Sequence, residues 1–186
     1  MDEIVKAALR KWPDVPHCYG WLALDARGDW YMRDDRIQRA GPFPRVKGSR
    51  IQHDKLLAFI ERNYAADERG AWFFQNGPQR VYVQLEAAPW VWRLQRCTEG
   101  RTDGHTDSID VVSHTGVAAR PVAAYLDDLG RLFLNCDCGF GLVHTLDVGI
   151  AADAVESGLW SPEPVAFAAL AQRFGYQLAP APAQRV

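Results

Sequence analysis

Two segments of nine residues share a pattern that places the tightest limit on the fold. Residues 24–32 and residues 126–134 both begin Leu-Asp-x-x-Gly, continue with one charged residue and end with three hydrophobic residues. An Asp-x-x-Gly turn between hydrophobic runs is typical of a β-hairpin, because glycine readily takes the positive φ that a short turn requires. The pattern has two interpretations: the chain contains a duplicated unit of hairpin and helix, or two unrelated hairpins use the same common turn.

Helical signals follow both hairpins. The hydrophobic residues after Ser49 and Gln52 recur at helical spacing, and these two polar residues form a capping box, which predicts a helix. Ser161 and Pro162 predict the first turn of a last helix, and residues 34–48 are predicted to form a loop. Together these patterns predict an α+β protein in which antiparallel hairpins and sheets with packed helices form two related lobes.

The chain of 186 residues has a polar, turn-rich stretch at residues 98–110 that is typical of a linker. We therefore predict an N-terminal α+β lobe over residues 1–97 and a C-terminal α+β lobe over residues 98–186, with a Pro/Ala tail that frays from about residue 179. The first 96 residues carry a net charge of +4 and the remaining residues a net charge of −6. Opposite charges favour docking of the two lobes.

Composition and hydropathy exclude several classes of protein. The formal net charge is −2, which gives no general attraction to nucleic acid or to an anionic membrane, and we expect neither as a partner. The sequence has no run of about 18 apolar residues that could span a bilayer, and its first residues lack the uninterrupted apolar core of a signal peptide. We therefore expect a cytoplasmic protein whose partner is another protein or a small ligand, with the oligomeric state left open.

A series of structural positions across residues 17–92 follows an order found in known families. The first hairpin is followed by Ile51, Asp54, Leu57, Gly70, Trp72, Val81, Val83, Glu86, Ala88 and Pro89. This order resembles uncharacterised proteobacterial families catalogued as domains of unknown function. One of these families is known for repeated α+β motifs and has been suggested to act in bacterial signal transduction. The resemblance implies repeated hairpin and helix motifs, and it implies no activity because it supplies no catalytic residue.

The nearest approach to a metal or redox site is Cys136-Asp137-Cys138 followed by His144. Residues two apart on a strand share a face, so both sulfurs would point the same way, and His144 on the next strand could approach them. Structural zinc takes four Cys or His ligands, so the fourth ligand would be Cys97, Cys18 or His17. The two thiols would equally suit the inward face of a strand, where they would simply pack. Zinc is the only cofactor that these residues suggest, and otherwise we expect none.

Seven tryptophans are many for a chain of this length. Trp90 and Trp92 lie two residues apart and therefore share one strand face, while Trp21 and Trp72 lie in other predicted strands. Aromatic side chains usually contribute to the core, but several that are exposed together form an apolar patch suited to a partner. These four tryptophans are therefore the predicted contact residues for a ligand or a protein partner.

The sequence contains no phosphate-binding loop, nucleophile elbow or zinc-protease motif, and we predict no catalytic residue. We favour a non-enzymatic binding or protein-interaction module. The first alternative is a metal-binding or redox protein that uses Cys136, Cys138 and His144. The second is a hydrolase or transferase, which would need the carboxylates of Asp127 and Asp128 side by side in a polar pocket.

Overall fold

Two β-sheets, each with its own helices, make up the residues that the computed structural model describes, which are residues 1–96 and 109–182. By its internal contacts the chain divides into unit 1, which consists of Met1–Ala87 and Ala171–Val186, and unit 2, which consists of Ala88–Leu170. The predicted α+β class with two sheet lobes is confirmed. No helix in the described ranges has the length and apolar character needed to cross a membrane.

Unit 1 is built on a six-stranded sheet with the strand order β3-β2-β1-β6-β5-β4. Only β1 and β6 pair in parallel among these strands. The helix α3 packs on β5 through Phe59 and Phe74, whose ring centroids lie 5.4 Å apart. The elements are α1 (Glu3–Lys11), β1 (Cys18–Leu24), β2 (Trp30–Met32), α2 (Asp35–Ala40), β3 (Ser49–Arg50), α3 (Asp54–Arg62), β4 (Tyr64–Ala66), β5 (Trp72–Asn76) and β6 (Gln79–Leu85).

Unit 2 is built on a seven-stranded sheet with the strand order β13-β10-β11-β12-β7-β8-β9. Two of its strand pairs are parallel, β10 with β13 and β12 with β7. The elements are β7 (Trp90–Arg96), β8 (Ile109–Ser113), β9 (Ala118–Ala119), β10 (Pro121–Asp127), β11 (Leu132–Cys136), β12 (Gly139–Val143), a 3₁₀ turn (Thr145–Asp147), α4 (Val148–Glu156) and β13 (Glu163–Val165). The last helix, α5 (Phe167–Arg173), runs from unit 2 into the C-terminal part of unit 1.

The two sheets contain the same four-strand arrangement. In unit 1 the neighbours β3-β2-β1-β6 comprise a hairpin, a third antiparallel strand and a strand that returns parallel to the first strand of the hairpin. In unit 2 the neighbours β12-β11-β10-β13 have the same pairing and the same chain order, with α4 in the place of α3. This shared connectivity favours the duplicated unit over two unrelated hairpins.

The turns of the two matching hairpins are also alike. Asp25 Oδ1 accepts hydrogen bonds from the backbone N–H groups of Arg27 and Asp29, at 2.8 and 3.0 Å. Asp127 Oδ1 accepts from the N–H groups two and four residues later, at 3.0 and 2.8 Å. Gly28 and Gly130 occupy the same position with φ of 82° and 70°. The Asp-x-x-Gly pattern therefore forms the same turn in both units.

Two further turns have this geometry, one in each unit. Asp67 Oδ1 accepts from the N–H groups of Arg69 and Ala71 at 2.9 and 3.0 Å. Ser113 Oγ accepts from the N–H groups two and four residues later at 3.3 and 3.0 Å. Neither of these two turns was predicted from the sequence.

Several local predictions were wrong. Ser49 lies in β3, and α3 begins at Asp54, where His53 Nδ1 accepts the N–H of Leu56 at 3.3 Å and caps the helix in place of the expected box. Ser161 and Pro162 precede the short strand β13 and not a helix. The stretch predicted as a loop contains α2, because Asp34 Oδ1 accepts the N–H of Ile37 and supplies an N-cap.

The C-terminal segment belongs to unit 1, so the observed units differ from the predicted lobes of residues 1–97 and 98–186. Leu178 O accepts a hydrogen bond from Leu85 N at 2.8 Å, and Tyr176 Oη donates to Ala87 O at 2.9 Å. Pro180 is buried, although the tail was expected to fray from about residue 179. Most of the predicted linker lies outside the described residues, which resume at the start of β8.

Candidate functional site

A cleft of about 620 Å³ in unit 1 brings together charged and aromatic side chains from three parts of the sheet. β1 and the residue before it, the end of β4 with its following turn, and β6 each contribute. The lining residues are His17, Tyr19, Ala66, Asp67, Glu68, Arg69, Arg80 and Tyr82. We refer to this set as the tyrosine cleft.

The wall of the tyrosine cleft is a stack of aromatic rings. The rings of Tyr19 and Tyr82 are parallel within 7°, with centroids 4.6 Å apart. The His17 ring and the Phe73 ring each meet Tyr82 edge-on, both at 5.8 Å. Tyr82 and Phe73 are buried together with Ala71, and Tyr19 packs against this cluster while remaining partly exposed. The wall is therefore supported from behind by the core of the sheet.

Asp67 holds the floor of the tyrosine cleft in place. Besides its two bonds to backbone N–H groups, its Oδ2 accepts from Tyr82 Oη at 3.0 Å and pairs with the guanidinium of Arg69 at 3.4 Å. Burial raises the pKa of Asp67, but the hydrogen bonds and the charge of Arg69 outweigh burial and lower this pKa overall. Asp67 is thus an ionised carboxylate whose charge is already neutralised within the cleft.

Arg80 is the cation of the cleft that has no carboxylate partner among the described residues. Its guanidinium carbon lies 4.5 Å from the centroid of the Phe73 ring, a cation–π contact that orients it without neutralising its charge. The pKa of the His17 imidazole is lowered first by burial and then by the positive charges of Arg80 and Arg69. His17 is therefore neutral at pH 7, and the positive charge beside the aromatic wall belongs to the two arginines.

The predicted tryptophan surface is wrong for two of its four members. Trp90 is 9% exposed and Trp92 is 0% exposed. Their rings stack with centroids 5.9 Å apart, and Trp92 Nε1 donates to Leu134 O at 3.1 Å, so both indoles are core residues. Glycine in β12 accommodates them, since a Cβ on Gly141 would lie 2.5 Å from Trp92 Nε1.

The other two predicted contact residues, both in unit 1, differ in accessibility. Trp21 is exposed, and Trp72 is partly buried with its ring centroid 4.6 Å from that of Tyr64. Neither of them lines the tyrosine cleft. Trp21 is therefore the one member of the predicted set that is openly available to a partner.

The structure does not bring the predicted metal ligands together. Cys136 is buried at the end of β11, whereas Cys138 lies in the turn to β12 and is exposed, so the expectation that they share a strand face is wrong. His144 follows the far end of β12, about 16 Å along the strand at 3.3 Å per residue, where its Nδ1 accepts the N–H of Leu146 at 3.0 Å. Burial raises the pKa of Cys136 to about 12. The described ranges contain no group of three metal-ligating side chains, and Cys97 lies outside them.

Asp127 and Asp128 support a turn and do not share a polar pocket. The side chain of Asp127 is fully buried and pairs with Arg131. Asp128 is exposed and its Oδ1 accepts the N–H of Phe167 at 2.8 Å. This placement contradicts a hydrolase or transferase site built on the two carboxylates.

The residues of the tyrosine cleft were not predicted from the sequence, although two patterns indicate them. Arg80 and Tyr82 alternate with Val81 and Val83 along β6, which places the arginine and the tyrosine on one face. Asp67 begins a third Asp-x-x-Gly segment at residues 67–70. The contribution of β1 follows from its parallel pairing with β6, which no local pattern indicates.

Two solved structures are similar to this chain. A crystal structure of a DUF1285 family protein from Silicibacter pomeroyi DSS-3 has a TM-score of 0.51 and 13% sequence identity, covering 82% of this chain and 84% of that chain. A DUF1285 family protein from Shewanella baltica OS155 has a TM-score of 0.45 and 17% identity, covering 72% of this chain and 91% of that chain. At the identity of the first pair, the likeness shows the fold alone.

The family assignment rests on the sequence itself. The search of curated proteins found no match. A family model matches almost the whole chain and carries no activity with it, in agreement with the predicted resemblance. With residues 1–181 matched, the chain belongs to the family described as "Protein of unknown function (DUF2946)".

Proposed function

We propose that this protein is a non-enzymatic binding module whose tyrosine cleft takes a small acidic ligand, one that carries a carboxylate or phosphate group on a flat apolar body. The observation that carries this proposal is the guanidinium of Arg80, which borders the cleft with no carboxylate partner in the described part of the chain. Cytoplasmic location and a role in bacterial signalling remain predictions from the sequence.

The pairing of charges in the cleft leaves Arg80 available to an anionic ligand. Asp67 and Arg69 neutralise each other, and Asp67 is further occupied by Tyr82. The remaining charges are those of Arg80 and of Glu68, which is exposed to solvent. Arginine binds carboxylate and phosphate through paired N–H donors, and such charge-assisted bonds are stronger than neutral ones. An acidic group is therefore the group that Arg80 is best suited to hold.

The aromatic wall supports a flat apolar body next to that acidic group. Tyr19 is partly exposed, and its ring is fixed against the buried ring of Tyr82. Aromatic rings held in place lose little conformational entropy when a ligand packs on them, and offset ring contacts add about 1 kcal/mol. The ligand class that fits both features is an aromatic carboxylate or phosphate.

Titrations with benzoate and with phenyl phosphate test the proposal. Binding is monitored by the amide chemical shifts of the isotope-labelled protein. We expect shifts at the cleft residues of β6 and of the Asp67 turn, and an affinity that falls about tenfold in Arg80→Gln, since a lost charge-assisted bond costs about 1.5 kcal/mol.

Arg27→Gln serves as the matched control, because Arg27 is an exposed arginine of the same unit that does not line the cleft. This variant should bind both probes as the unaltered protein does. Equal binding by Arg80→Gln, or shifts confined to residues outside the cleft, would refute the proposal.

A further inference from the structure

The helix α4 of unit 2 presents an apolar stripe to solvent. Val148 is 56% exposed and Val155 is 36% exposed, and Ala152 between them is exposed as well. Spacings of four and three residues place all three on one face, next to the face that carries the buried Ala151 and Ala154. Surface helices usually keep their outer face polar, so an outer face of valine and alanine indicates a contact surface.

An acidic side chain borders the stripe on α4. Glu156 is exposed and lies about 80° around the helix from Val148, as the helical repeat of 100° per residue requires. Asp153 lies about 140° around the helix from Val148, away from the stripe, and pairs with Arg96. The helix itself contains no basic residue. A partner for this face therefore needs apolar side chains together with positive charge.

The helix α1 of unit 1 has the complementary character. Ile4 is 77% exposed, and Ala7 and Lys11 lie three and seven residues later on the same face, both exposed. Trp12 ends the helix, is half exposed, and carries the ammonium of Lys11 over its ring at 4.4 Å. The helix contains three basic residues and one acidic residue. It offers an exposed apolar face with positive charge.

We propose that α1 of one copy of this protein docks on α4 of a second copy, with Ile4 and Trp12 against the stripe of Val148, Ala152 and Val155. Charge complementarity selects this occupant, since the exposed Lys11 on the Ile4 face of α1 can meet the exposed Glu156 beside the stripe of α4. The contact joins different surfaces on the two copies. Made once per pair of copies, it builds head-to-tail assemblies that close into a ring or extend, and made twice about a two-fold axis it closes as a dimer. The proposal does not depend on the tyrosine cleft.

Sedimentation equilibrium of the full chain over a series of concentrations tests this. We expect an average mass that rises with concentration above the 20.9 kDa of one chain, and that falls with added salt because part of the attraction is between exposed charges. Ile4→Glu and Val155→Lys should each weaken self-association about tenfold or more, as central interface residues do.

The decisive sample is an equimolar mixture of these two variants. The Ile4→Glu copy retains an intact α4 face and the Val155→Lys copy retains an intact α1 face, so the mixture should form a complex of two chains and stop there. Val148→Lys repeats the test at a second exposed position. Val122→Lys, at an exposed valine of β10, is the control and should associate normally.

Three results would overturn the proposal. The first is a single-chain mass at every concentration. The second is association that neither variant weakens. The third is loss of association in both variants with no recovery in the mixture, which would mean that α1 of one copy does not dock on α4 of the other. Far-UV circular dichroism of each variant establishes that the fold is kept, as expected for exposed positions.

Discussion

The Asp67 turn of unit 1 and the Asp127 turn of unit 2 have the same backbone hydrogen bonds and opposite surroundings. At Asp127, the second carboxylate oxygen accepts from Nε of Arg131 at 2.8 Å, and that guanidinium is covered by the Phe167 ring at 4.3 Å. At Asp67, the second oxygen accepts a tyrosine hydroxyl and the turn borders an open cleft. The charged groups of the Asp127 turn pair with each other under an aromatic ring, whereas the Asp67 turn leaves room for a ligand.

The difference arises on the neighbouring strand and not in the turn. Arg131 is four residues from Asp127 in the same hairpin, so cation and carboxylate satisfy each other locally. Near Asp67 the additional cation is Arg80 on β6, which lies over Phe73 and pairs with no carboxylate of the described chain. A repeated structural motif thus acquires a candidate site only where an adjacent strand adds an unneutralised charge.

Glycine substitution should give the largest contrast between the two turns. Gly70 and Gly130 have φ of 73° and 70°, so alanine at either site has the same backbone strain of about 1 kcal/mol. A Cβ on Gly70 would lie 1.9 Å from Gly175 O, whereas nothing lies within 4 Å of one on Gly130. We expect Gly70→Ala to lower the free energy of unfolding by about 3 kcal/mol and Gly130→Ala by about 1 kcal/mol.

Urea unfolding of both variants measures this contrast. Equal losses would mean that the C-terminal segment does not pack on the Asp67 turn, and the assignment of this segment to unit 1 would fail.

Removal of the carboxylate charge should give the next largest contrast, with the order reversed. Asn retains the Oδ1 acceptor of the turn but loses the negative charge. Asp127→Asn leaves Arg131 beside a buried neutral group, and we expect a loss of about 2 kcal/mol in the free energy of unfolding. Asp67→Asn removes the acceptor of Tyr82 Oη, which borders the open cleft, and leaves Arg69, which is half exposed and well solvated, so we expect about 1 kcal/mol.

Urea unfolding of both variants measures the two losses in the free energy of unfolding. A larger loss at Asp67 than at Asp127 would mean that the cleft side of the molecule depends more on its ion pair than the closed turn does.

The sequence predicted the hairpins better than the site because the signals differ in range. Leu-Asp-x-x-Gly is a local pattern, and the carboxylate that accepts two N–H groups within four residues forms wherever the pattern occurs. The helix boundary at Asp54 was missed because His53 accepts a capping hydrogen bond that Ser49 was expected to accept. The β-turns were therefore predicted correctly, whereas the start of α3 was predicted about one helical turn too early.

Burial and strand order limited the prediction of the functional residues. Trp90 and Trp92 share a face as predicted, but that face is covered, and spacing alone does not distinguish a covered face from an open one. The cleft requires β1 beside β6, a parallel pairing between strands about 60 residues apart in sequence. Pairings of this kind depend on the whole sheet, so no short window of sequence contains them.

The smallest expected effect concerns His17 and the pH dependence of ligand binding. In the free protein the pKa of His17 is lowered from 6.5, by burial and by the charges of Arg80 and Arg69. An anion bound at Arg80 offsets those charges and favours the protonated imidazole, so binding takes up protons.

The affinity for benzoate should therefore rise as pH falls through the pKa of His17 in the complex, and level off below the pKa of His17 in the free protein. Because the His17 side chain is only partly buried and solvent screens its charge, we expect a gain of only about twofold. Calorimetric titrations at about pH 8 and about pH 5.5 measure it, since benzoate stays ionised at both values. His17→Gln should bind with the same affinity at both, and a pH dependence that persists in this variant would place the titrating group elsewhere in the tyrosine cleft.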